Sequence, residues 1–244
     1  MILQALVTYY EALAQQNIIP QPGYASVKIS FALRIGWDGQ LLGILPMLDQ
    51  VQRGKKMLEV PQVLSLPEPV VKSVNIASNF LFENGMYMLG ADIKGNAARA
   101  RQCFDAASLL HHQVLDSTNR PAAKAILSFF DQWQPSECTS HPVTMPFMEA
   151  ISTGANFIFQ LPDNQYAQDI PALRQAWDDY RTGQFSDTRM QCLVTGKKDA
   201  PVARLHKKIK NVRGGQPMGT SIVSFNARSY ESYGREGAQG LNDS

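Results

Sequence analysis

The chemistry this sequence offers is neutralisation of a polyanion. Between Arg189 and Arg235, ten lysines and arginines stand against two acids, Asp199 and Glu231, a balance of +8. Residues 1–188 carry thirteen basic and seventeen acidic side chains, a balance of −4. The net charge of +2 therefore hides a basic block behind an acidic body. Such clustering costs self-repulsion, and a polyanion is the commonest partner that removes it. Lys207, Lys208, Lys210 and Arg213 suit phosphate contacts, which position a protein without specifying sequence. The adjacent Gly214-Gly215 pair lets backbone approach a phosphate closely. Gln216, Asn211 and Asn226 have side chains able to read base edges. The alternative is a solvated loop face.

Bond-breaking chemistry has no comparable signature. GxSxG, HExxH, Walker A and GxGxxG are all missing. Cys192 and His206 flank one excursion, but Cys192 falls in an apolar run where a buried, inert thiol is expected. The acids are scattered, without the paired carboxylates that hold two metal ions over a phosphodiester. Cys103, Cys138 and Cys192 lie far apart with no CxxC or Cys/His ligand spacing, which argues against zinc and for a reducing compartment. The expectation is a non-enzyme without cofactor or metal. No run of 18 apolar residues occurs, and the opening MILQALVTYY lacks a basic leader and a cleavage site. A cytoplasmic protein with no membrane span is expected. Hydrophobic content of 44% and charged content of 18% fit a globular chain of one large domain or two small ones.

The elements that must position these residues mix helices with short antiparallel strands, an α+β pattern. Ile2, Leu3, Leu6, Val7, Tyr10, Leu13 and Ala14 share one helical face, stopped by Pro20, Pro22 and Gly23. Ile29, Phe31, Leu33 and Ile35 alternate with Lys28, Ser30, Ala32 and Arg34, predicting a half-buried strand. Asp38-Gly39 predicts a hairpin turn, with Leu41 to Leu45 as the return strand. Arg53-Gly54-Lys55-Lys56 is a short basic loop, and the proline-bearing PQVLSLPEPVVKS after it reads as an extended connection. In residues 73–90, Phe80, Leu81, Phe82 and Met86 to Leu89 are core candidates. Asn75, Asn79 and Asn84 interrupt that segment and need partners; a turn-capping role suits each, and Asn84-Gly85 reads as a tight turn.

Two helices joined by a short link follow, one carrying Cys103 to Leu115 and one from Pro121 to Trp133, an expected antiparallel pair. His111 and His112 on the first read as surface or core filling. Ala155 to Leu161 predicts a strand, Pro162-Asp163-Asn164 a turn, and Pro171 opens a helix through Tyr180. Met190–Thr195 and Thr220–Phe225 read as strands flanking the basic excursion.

Taken together, several segments resemble the N-terminal part of the large subunit of subtype I-C CRISPR surveillance (Cascade) complexes, the Csd-type Cas eight family. They are MILQALVTYYEALA, SVNIASNFLFENGMYMLG, Cys103-Phe104, and CLVTGKKDAPVARLHKKIKNVRGGQ followed by SIVSFN and ESYG. The resemblance runs end to end in the same order. It implies that residues 1–244 are an N-terminal domain, a fragment lacking the family's mainly helical C-terminal region.

The resemblance also implies a non-catalytic role: recognising the protospacer-adjacent motif in double-stranded target DNA, opening the helix, and helping recruit a helicase-nuclease. The partners it implies are CRISPR RNA and other Cascade subunits. The family's asparagine in I-x-x-N-F-L falls on Asn79, and its LH-x-KIK-x-V-x-G loop on Leu205 to Gly214. Lys207 stands where the family has proline, and Asn75 where it has glycine. On this reading Lys207, Lys208, Lys210, Arg213 and Gly214 contact phosphates, while Asn79 and Gln216, or groove shape, supply specificity. The rival is a structural adaptor whose basic face holds guide RNA and neighbouring subunits without reading a motif.

Overall fold

The computed structural model describes residues 2–70, 72, 76–92, 95–185, 187–192, 194–202, 209, 212–216 and 219–220. The chain divides into two compact units, Leu13–Tyr180 and a second formed by Met1–Ala12 with Arg181–Ser244. Six α-helices and three sheets, one of them a two-residue pairing, are found among the described residues, an α+β fold as expected.

In Leu13–Tyr180 two sheets share one continuous stretch of chain. Strand β1 (Tyr24–Ile29) runs antiparallel to β5 (Lys56–Pro67), which also pairs with β4 (Leu48–Arg53). The second sheet has the order β3-β2-β7-β6, made of β2 (Phe31–Ile35), β3 (Leu41–Pro46), β6 (Phe82–Asn84) and β7 (Asn156–Gln160). β2 and β7 are parallel; the other two pairings are antiparallel. The expected single strand from Lys28 to Ile35 is therefore two strands. The break is Ser30, whose N–H donates to Asn156 O at 3.0 Å and whose carbonyl accepts from Met47 N at 2.8 Å. Ser30 and Met47 are where the chain leaves one sheet for the other.

This crossing also covers both faces of β2. Leu33 and Ile35 join the main core with Phe157 and Phe159, whereas Ala32 joins Ile29, Met47, Phe82 and Ile158 in a second cluster. Packed on the main-core side are α2 (Gly85–Met88), α3 (Ala97–Leu115) and α4 (Pro121–Gln132), with α6 (Pro171–Gly183) supplying Trp177. Phe129 and Phe130 of α4 meet Phe159 at ring distances of 5.4 and 5.7 Å. The Asp38-Gly39 turn closes as expected, with Gly36 N donating to Gln40 O at 2.8 Å. Gly39 has φ +87°, and a Cβ there would strike the backbone of Phe129, so a side chain is excluded twice over.

Two readings change. The segment after the basic loop is not a connection: residues 56–67 form the twelve-residue strand β5, with Pro61 opposite Leu48. The strand expected at Met190–Thr195 shrinks to β8 (Arg189–Met190), paired with β9 (Ala200–Pro201). Residues 221–225 of the other expected strand lie outside the described residues. Helix α1 (Ile2–Gln15) forms as expected, but only Ala14 of it is buried, and Ile2, Leu6 and Tyr9 are exposed. Asn84-Gly85 begins a helix, with Asn84 Oδ1 accepting from Met86 N at 3.0 Å as its cap. No described helix is long and apolar enough to cross a membrane.

Candidate nucleic-acid interface

Two places carry the residues singled out above, and they lie in different units. The first is a turn in the basic block. Ile209 and Thr220 form an antiparallel bridge, each donating its N–H to the other's carbonyl at 2.8 Å. Between them, Gly215 N donates to Val212 O at 2.9 Å, which makes Arg213 and Gly214 the two central residues of a β-turn. Gly214 has φ +79°, the left-handed angle that favours glycine at the third position of such a turn, and a Cβ there would meet nothing within 4 Å. The Thr220 hydroxyl accepts from Gln216 N at 3.0 Å and holds the far side of the turn. Arg213, Gly214 and Gln216 are all exposed. A cation, an open backbone and a side-chain amide thus share one surface turn, the set that suits a phosphate and the polar groups beside it. Lys207, Lys208 and Lys210 lie outside the described residues, as do Asn211, Asn226 and His206.

Asn79 is placed otherwise. Reading a base edge needs a surface amide; Asn79 instead is 8% exposed, with both ends of its amide engaged inside the protein. Oδ1 accepts from Val70 N at 2.8 Å, and Nδ2 donates to Glu83 Oε1 at 2.9 Å. Glu83 is buried and collects more donors: Asn79 N at 3.2 Å and Lys72 Nζ at the same oxygen, and Asn84 N at 3.0 Å on Oε2. Lys72 also sits 3.8 Å over the Tyr87 ring. The physical reason is ordinary: a carboxylate in an apolar segment must be paired and hydrogen-bonded, and the nearest amide is recruited. Asn79 therefore ties Val70 to Glu83, and Glu83 in turn holds Lys72. Asn75 lies outside the described residues.

Sequence reasoning missed the hub itself. Glu83 is the one acid among the apolar residues from Phe80 to Leu89, and that isolation was the available signal. His111, read from the sequence as surface or core filling, is core filling: it is fully buried. Its Nδ1 faces Ala107 O at 2.7 Å, while Nε2 accepts from Leu81 N at 3.0 Å. The ring is thus neutral with its proton on Nδ1, and burial lowers its pKa to about 4. That acceptor secures Leu81 at φ +66°, a left-handed angle uncommon for a leucine.

Cys192 also departs from expectation. It is partly exposed and sits at the start of a turn, with Cys192 N donating to Lys197 O at 2.9 Å and Gly196 N to Cys192 O at 2.8 Å. Sγ accepts from Thr195 N at 3.4 Å, and the Thr195 hydroxyl and neighbouring backbone N–H groups lower its pKa. Among the described residues, no group of three His, Cys, Asp or Glu side chains is placed to hold a metal ion.

No curated protein matches the chain. The family model of the CRISPR-associated protein Cas_Csd1 matches residues 6–243, which takes in the Asn79 segment and the whole basic block. The chain belongs to the Csd1 family of CRISPR-associated proteins.

Proposed function

We propose that this protein is a non-catalytic DNA-binding part of a type I-C Cascade large subunit, reading the protospacer-adjacent motif in duplex DNA and aiding R-loop formation. The observation that carries this reading is the exposed Arg213-Gly214 turn with Gln216, set in a block of charge +8. Lys207, Lys208, Lys210 and Arg213 supply phosphate contacts, and Gln216, beside the turn, carries both a donor and an acceptor for a base edge. Asn79 acts from within, holding Val70 and the Glu83 carboxylate that pairs with Lys72. CRISPR RNA, the other Cascade subunits and a helicase-nuclease are the partners this role requires.

The test is binding of the assembled complex to duplexes carrying a randomised motif library. Selective retention of one short motif, reduced by Gln216→Ala, supports the reading. Replacing Lys207, Lys208 and Lys210 together by Ala weakens all duplexes alike and flattens the slope of log affinity against log salt by about 0.9 for each phosphate no longer neutralised. Binding without any motif preference, with guide RNA still held, identifies the structural adaptor instead.

A further inference from the structure

The β4–β5 hairpin extends beyond its sheet. β1 pairs with β5 only from Gln62 to Pro67, so residues 56–61 have β4 as their sole partner and the outer edge of β4 is unpaired among the described residues. What projects is a two-stranded ribbon six residue pairs long, about 20 Å at 3.4 Å per residue. Every residue from Asp49 to Glu59 is exposed, so neither face of its outer part is covered. At the tip, Arg53 stands directly opposite Lys56, with Lys55 in the turn between them. Like charges opposed across a ladder destabilise it, and none of the three is ion-paired among the described residues. On the same face, next below the Arg53–Lys56 pair, Val51 opposes Leu58, 40% and 41% exposed.

Three clustered cations without ion-pair partners among the described residues repel one another, and a polyanion is the partner that relieves this. We infer that the β4–β5 ribbon is a second DNA-contacting element, laid against duplex DNA with Arg53, Lys55 and Lys56 on phosphates and Val51 and Leu58 against the groove wall. A B-form major groove is about 12 Å wide and admits a two-stranded ribbon, whereas the deep, narrow A-form groove does not. The two acids on the ribbon do not oppose this. Asp49 lies at its root and accepts from Gln62 Nε2 at 3.2 Å, and Glu59 alternates onto the other face. The inference rests on the nucleic-acid reading above but concerns residues in the other unit.

The experiment compares the full chain with its Arg53→Ala/Lys55→Ala/Lys56→Ala and Lys207→Ala/Lys208→Ala/Lys210→Ala variants. Labelled duplex DNA and duplex RNA of one sequence are titrated over a range of salt. The ribbon variant is expected to unfold in urea at the parent's midpoint or slightly above it, since the three side chains are exposed and their removal relieves the Arg53–Lys56 opposition. It is expected to flatten the salt slope on duplex DNA by about 0.9 for each phosphate left without its cation, and to change duplex RNA less. Val51→Ser/Leu58→Ser is expected to weaken duplex DNA binding at unchanged slope. A ribbon variant with the parent's slope, beside a lysine variant that no longer binds, overturns the ribbon and leaves the proposed function standing. Equal weakening on DNA and RNA overturns the groove fit. A parent chain that binds neither duplex overturns both readings.

Discussion

Asn79 is bonded at both ends of its side chain, and the two bonds make opposite demands on a substitution. Alanine in its place leaves Val70 N–H without its acceptor and removes one donor from the buried Glu83 carboxylate. Val70 is exposed, so its N–H can turn to water, but taking a donor from the buried Glu83 carboxylate costs about 1–3 kcal/mol. Asn79→Ala is therefore expected to lower the unfolding free energy by about that much, read as a lower urea midpoint at an unchanged m-value. Asn79→Asp is expected to be worse, since it sets a second carboxylate against Glu83. If Asn79→Ala keeps the parent midpoint and loses only motif discrimination, the internal role is wrong and Asn79 reads a base. The sequence showed that this asparagine needed partners, because amides in an apolar segment always do. It could not show that the partner would be Glu83, four residues on and turned inward, because that depends on how Leu81 bends the chain.

At the scale of elements, α3 carries two adjacent histidines that titrate in opposite senses. Burial holds His111 near a pKa of about 4, below the unfolded value of about 6.5. The unfolded chain therefore takes up a proton first, and this group's share of stability is lost as pH falls from about 6.5 towards 4. For His112, burial lowers the pKa, but bonds to Asp116 at 2.8 Å and Asp131 at 3.1 Å outweigh it and raise it overall. Its contribution is fully present below the unfolded pKa and is lost as pH rises through the raised folded value. His112→Ala is thus expected to destabilise the protein more at pH 6 than at pH 8, measured by urea unfolding at each pH. Equal destabilisation at the two pH values would show that the pair with Asp116 and Asp131 carries no charge.

Local patterns made much of this architecture legible. The helices α1, α3, α4 and α6 follow from apolar spacing and from Pro121 and Pro171 at helix starts. Alternation located β2 but not the covering of both its faces, which follows from the sheet change at Ser30 and has no local signature. Pro61 and Pro67 disguised β5. β1 takes over its pairing at Gln62 just where β4 ends, so Pro61 sits where one flank of the strand is open and a missing N–H is tolerated.

The whole molecule separates charge from body: the basic block belongs to the unit holding Arg181–Ser244, and the buried polar hub belongs to Leu13–Tyr180. Binding a polyanion needs only the first kind of feature. Breaking a phosphodiester needs an activated nucleophile or carboxylates that hold metal ions on the same surface. The strongest nucleophile candidate is Cys192. Its partly exposed thiol with a lowered pKa is more reactive than its apolar neighbours in sequence suggested. A thiolate attacks carbonyl carbon far more readily than phosphorus, and its Thr195 and backbone donors stabilise the anion without supplying a base. The purified chain is therefore expected to leave labelled duplex DNA, single-stranded DNA and RNA intact over hours with Mg²⁺ or Mn²⁺ added. Cys192→Ala is expected to bind duplex DNA with the parent's affinity and salt slope. Metal-dependent cleavage that follows the protein through purification, and disappears when one particular Asp or Glu is replaced, would overturn the non-catalytic reading and make the basic block a substrate-holding surface.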